Sequence, residues 1–113
     1  MALSTTAKNA MLDALAALIT HVGVADAGTE ITGGSPAYAR QAVAFGAASG
    51  GVLTMTGSET FNIPASGVVN RAILRGHLTN ASPDYGYATL TTETYGGQGT
   101  YELTTLTITL SDP

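Results

Sequence analysis

A chain of 113 residues and 11.4 kDa holds one domain's worth of material, and its lack of cysteine excludes disulfides and thiolate metal sites. With only two histidines, His21 and His77, most histidine-based metal clusters are excluded as well. Charged residues make up 11% of the chain, against about 25% in a typical soluble domain, and a net charge of -4 with a pI near 4.7 argues against nucleic-acid binding, which requires a basic patch. Thr, Ser, Gly, Ala and Asn must therefore cover most of the surface. Such a surface is polar without being repulsive, and it suits a protein packed against copies of itself or against neighbours.

The first segment, "STTAKNAMLDALAALI", predicts a helix over about residues 4–19. Ser4, Thr5 or Thr6 can cap its free amides, and Ala, Met and Leu are good helix formers. Met11, Leu15, Leu18 and Val22 fall at helical spacing, and Leu12 and Ile19 widen the stripe. Lys8, Asn9, Asp13 and Ala16 lie elsewhere. Asp13 interrupts the apolar run and no small-residue cleavage site closes it, so no secretory leader is expected. No stretch reaches the roughly 18 to 20 apolar residues of a membrane span, so no membrane partner is expected.

After the helix the period changes to two. "THVGVA" reads as a short strand ended by "DAGTEITGGSP". "AYARQAVAF" then places Tyr38, Arg40, Ala42 and Ala44 on one face, with Ala39, Gln41, Val43 and Phe45 on the other. "VLTMT" and "ETFNI" flank Gly57-Ser58 and read as a hairpin, closed by Pro64. "VVNRAILRGHLT" predicts a longer strand with Arg71, Arg75 and His77 on one face. "NASPDYG" turns the chain into "YATLTTETY". In "TYELTTLTITL" the apolar positions switch from odd (Tyr101, Leu103) to even (Leu106, Ile108, Leu110), which requires a β-bulge or bend at Thr104-Thr105. The expected fold is mainly β: a single β-sandwich or small jelly roll of about seven to eight strands over residues 20–111, with one N-terminal α-helix, the whole 1–113 forming one domain.

The glycine clusters lack chemistry. "GGSP" has no Lys-Ser/Thr pair, and "YGGQGTY" has no strand-glycine-helix context, so both read as turns. No Gly-x-Ser-x-Gly elbow and no paired acids occur, and no catalytic residue, cofactor or metal ligand is assigned. Arg71 and Arg75, about 13 Å apart on one strand face, form with His77 the only basic stripe. It reads either as ordinary strand decoration or as a salt-bridging surface for acids such as Glu59 or Glu93 of a neighbouring subunit. Met11, Leu15, Leu18, Arg71, Arg75 and His77 are accordingly the candidate interface. Tyr85, Tyr87 and Tyr95 gather near Tyr101, with Tyr85 and Tyr87 on one strand face. They read as cross-strand pairs or, alternatively, as a glycan-binding surface.

Four stretches occur in order: "MALSTTAKNAMLDAL", "EITGGSPAYARQAV", "FNIPASGVV" and "YGGQGTYELTTLTITLSDP". On these the chain resembles a family of small virion proteins of actinobacterial tailed phages, labelled tail-fibre-like or minor structural proteins. The likeness is clearest for "GGSPAYAR" and for the "GGQGTY" ending, and it departs over residues 70–90. The resemblance implies a virion component made in the host cytoplasm, and no enzyme. The small size favours a head decoration (cement) protein bound to the major capsid protein, as a homo-oligomer such as a trimer. A tail-tip or short tail-fibre component contacting a host-surface glycan is the alternative.

Overall fold

The structure, a computed structural model, describes residues 2–110; Met1 and residues 111–113, where the expected sandwich range ends, lie outside the described residues. Helix α1 spans Thr5–Leu18, and the Ser4 hydroxyl caps it by accepting the Ala7 N–H at 3.1 Å. Nine strands follow: β1 His21–Asp26, β2 Thr29–Glu30, β3 Gln41–Ala42, β4 Val52–Thr54, β5 Glu59–Ile63, β6 Val68–Arg75, β7 Asp84–Thr94, β8 Gly99–Leu103 and β9 Thr107–Thr109. The protein is mainly β with one N-terminal helix, as the change of period from helical to two requires.

One antiparallel sheet runs β2-β1-β6-β7, and β3 pairs with the other half of the β1 edge that β2 uses. Opposite lie two ribbons, β4 with β9 and β5 with β8. Val22, Val24, Ala72 and Leu74 from the sheet meet Phe61, Ile63 and Leu103 from the ribbons in one buried core. Alternation places these side chains inward, and burying each aliphatic or aromatic side chain contributes roughly 1.5–3 kcal/mol. Helix α1 packs on β4. It docks through Leu12 and Ile19, with Leu15 and Ala16 partly buried beside them. Asn9 and Asp13 accept the backbone N–H groups of Gly51 and Ala48, tying the helix to the turn before β4.

Several expectations are corrected. "VLTMT" and "ETFNI" do not form a hairpin; each takes its partner from the last strand segment. Val52 pairs with Thr109 and Glu59 with Leu103, so β4-β5 and β9-β8 run as one bent ribbon. The expected bend at Thr104-Thr105 is present, since the chain leaves β8 after Leu103 and enters β9 at Thr107. The extra residue sits on the facing side, however, where residues 55–58 oppose the shorter stretch 104–106. "AYARQAVAF" narrows to a two-residue strand, because Tyr38 and Arg40 leave the ladder for side-chain contacts. The strand carrying Arg71 and Arg75 stops at Arg75. Gly76 then donates its N–H to the Pro83 carbonyl, and a side chain at Gly76 would collide with Pro83 and crowd the Leu18 carbonyl at 3.1 Å.

Candidate functional site

The outer side of the sheet is built around a gap. Strand β2 covers one end of the β1 edge and β3 the other, which leaves the Val24 N–H between them without a ladder partner. A buried amide must be satisfied, and the Tyr38 hydroxyl accepts it at 3.1 Å. That hydroxyl in turn donates to Glu30 Oε2 at 2.6 Å. Arg40 closes the cluster, with Nε to Glu30 Oε2 at 2.9 Å and Nη2 to Glu30 Oε1 at 2.7 Å, a two-pronged pair in which the guanidinium fork matches the carboxylate. Arg40 Nη1 also donates to the carbonyls of His77 (2.9 Å) and Asn80 (2.6 Å), fastening the 77–80 turn to the sheet edge. Arg40 is 7% exposed and is the one buried charged side chain among the described residues.

Gly23 makes this crossing possible. A Cβ there would collide with the Tyr38 hydroxyl and lie 2.9 Å from Glu30 Oε2. The "GGSP" turn supplies the approach: Gly33 and Gly34 adopt φ of 84° and 97°, and the Tyr38 N–H returns to the Gly33 carbonyl at 2.9 Å. Gln98, from the second glycine cluster, accepts the Ser35 N–H and donates to the Pro36 carbonyl, so the two glycine-rich segments brace each other. Burial raises the Glu30 carboxyl, but hydrogen bonds from Arg40 and Tyr38 outweigh it and hold the pKa below its ordinary value. Hydrogen bonding to Glu30, working against burial, holds Arg40 protonated above its usual range. Burial, and then the bond to Glu30, push the Tyr38 hydroxyl far upward.

Beside this cluster lies a cavity of about 360 Å³ into which all three arginines of the chain project, with Glu30, Asp84 and Tyr87. Arg71 and Arg75 share its floor because they alternate with Ala72 and Leu74 on β6, whose side chains face the core. Arg75 Nη1 pairs with Asp84 Oδ1 at 2.7 Å within the same chain. Arg71 pairs with no acid among the described residues; its guanidinium carbon stands 3.8 Å over the Tyr87 ring. His77 is not on the strand face with them. It lies in the exposed turn, where its Nδ1 accepts the N–H groups of Thr79 and Asn80, both at 3.0 Å.

The expectation that Tyr85 and Tyr87 share one strand face is corrected. A register irregularity between Leu74 and Arg75 leaves Tyr85 unpaired, and it turns toward the core, whereas Tyr87 stays outside at 55% exposure. Tyr95 packs on Gly99 and donates to the Thr100 carbonyl at the β7–β8 corner, where burial and then Glu93 raise its pKa. On the helix, Leu15 is partly buried on the protein's own core. Met11 (51%) and Leu18 (53%) remain exposed, so the predicted stripe is centred one position off the observed dock.

Among the described residues, no three acidic or histidine side chains converge on a metal site. Among the described residues no helix is long and apolar enough to cross a membrane. No protein-family model, curated protein or solved structure matches the chain.

Proposed function

We propose that this chain is a virion structural protein that decorates the outside of a phage head, docking on assembled major capsid protein and stabilising the shell. The observation that carries the reading is a second apolar face on α1. Ala10, Met11, Ala14, Ala17 and Leu18 are all exposed and recur at helical spacing over about a third of the helix circumference. The polar side chains of Asn9 and Asp13, which would interrupt a docking face, are drawn away to the 48–51 turn. An amphipathic helix laid into an apolar groove is a common recognition mode, and a ligand that binds only the assembled state stabilises that state. Assembly on the shell as a symmetric homo-oligomer, such as a trimer, belongs to the same proposal.

The test is binding of the purified protein to empty heads of the encoding phage, with detached tails as control and head melting temperature followed in parallel. Saturable binding to heads, a raised melting temperature, and loss of both in a Met11→Asp/Leu18→Asp variant that itself melts normally are the expected results. Binding to tails alone would overturn the reading. It would favour the second one, a tail-tip or short-fibre protein contacting a host-surface glycan, for which the exposed Tyr87 beside three arginines is the supporting feature.

A further inference from the structure

We infer that the arginine-lined cavity on the outer face of the sheet is a binding site for a small monocarboxylate of the sugar-acid class, with Arg71 as its principal anchor. This goes beyond the shell-docking proposal and does not rest on it.

The three guanidinium groups are not equivalent. Arg40 has four of its five N–H donors committed, to Glu30 and to two carbonyls. Arg75 uses Nη1 for Asp84 and for the Leu74 carbonyl, while its Nη2 has no partner among the described residues and its Nε is buried without one. Arg71 makes no hydrogen bond or ion pair at all among the described residues. Its guanidinium carbon lies over the Tyr87 ring, so one face is stacked while the N–H edge carries no hydrogen bond among the described residues. A guanidinium with one face stacked and its edge free is prepared for a planar acceptor, and a carboxylate is the acceptor its fork matches.

Charge and shape narrow the ligand. Three arginines against Glu30 and Asp84 leave the cavity one positive charge in excess, which a single carboxylate neutralises and a phosphate dianion would overshoot. Asp84 engages Arg75 and the Gly86 N–H through Oδ1 alone, so Oδ2 is left to accept hydroxyl donors. A phosphate dianion brings a single hydroxyl donor, whereas a sugar acid brings several beside its carboxylate. The volume lies at the small end of ligand pockets, enough for a compact molecule. Tyr87, half-exposed at the rim, adds an apolar edge.

The experiment is an amide NMR titration at low ionic strength with D-glucuronate, D-glucose, glutarate and inorganic phosphate. It is run on the wild-type chain and on Arg71→Gln and Arg71→Lys, each first checked by thermal melting. Glucuronate should shift amides of β6 and β7 around Arg71, Ile73 and Tyr87, and glucose should not. Arg71→Gln should weaken glucuronate by about tenfold or more, the scale of a lost charge-assisted pair, and Arg71→Lys should weaken it less. If Arg71→Gln does not fold, Arg71→Lys decides alone, since loss of the fork with retention of charge must still weaken binding. Glutarate binding as tightly as glucuronate overturns the sugar-acid assignment, and phosphate binding more tightly overturns the monoanion assignment. No shift at tens of millimolar glucuronate, or equal affinity in the variants, overturns the site.

Discussion

Replacing Glu30 by glutamine isolates the charge of the clamp while keeping its shape. Arg40 would remain at 7% exposure with two carbonyl partners and no counterion. Removing one partner of a fully buried ion pair costs about 3–5 kcal/mol. The Glu30 side chain is 26% exposed, and the amide oxygen can still accept one Arg40 donor, so the expected loss is smaller, about 2–3 kcal/mol. A chain of this length has roughly 6–17 kcal/mol of stability in total, so the variant should fold and melt about 8–12 °C lower. Circular dichroism melts with urea titrations would measure it. A drop of less than about 2 °C would refute the reasoning, because the pair would then be no better than an exposed one. The pH dependence has a definite sign. Glu30 is held below its ordinary value of 4.5 in the folded protein, so its contribution is complete above that pH and is lost as pH falls through the folded value. The gap between wild type and Glu30→Gln should therefore be constant near neutrality and close in acid.

Two further outcomes use the same melts. Gly23→Ala should lower stability by about 1–3 kcal/mol, because its methyl must displace the Tyr38 hydroxyl and the Glu30 carboxylate; an unchanged melting temperature would show that the clamp is loose. Ser4→Ala removes the acceptor for the Ala7 N–H and should cost about 1 kcal/mol, whereas Ser4→Asp should preserve the cap.

The parts of this fold that local chemistry encodes were legible in the chain. The Ala- and Leu-rich start is α1, and alternation placed Tyr38 and Arg40 on one face, where the structure also has them. The switch of apolar parity around Thr104 marked the bend between β8 and β9. What failed was pairing over distance. Gly57, at φ 69°, does make the local kink its type suggests, but nothing near it states whether the chain reverses or continues. Here it continues, and the partner lies far along the sequence. Tyr85 was placed on the wrong face by one irregularity in β7; Gly86, at φ 109°, was the available signal. The Glu30 partner of Arg40 was hidden because the "GGSP" turn separates them, and a turn's residues do not announce what they bring together. The cavity needed that clamp together with β6 and the start of β7, so Arg71 and Arg75 could be read only as part of a stripe and Arg40 not at all with them.

The bent ribbon of β4-β5 against β9-β8 also bears on how the molecule comes together and apart. Val52 waits for Thr109 and Phe61 for Tyr101, while on the other layer His21 waits for Arg75. Only β6 with β7 and β1 with β2 are joined by short connections. Loop-closure entropy must be met before most of these contacts form, which places folding among the slow, millisecond-to-second β topologies. Neither layer can be completed from neighbouring residues, so no contiguous half of the chain is a unit that stands alone. Melting should accordingly be a single event in which helix, ribbon and sheet are lost together.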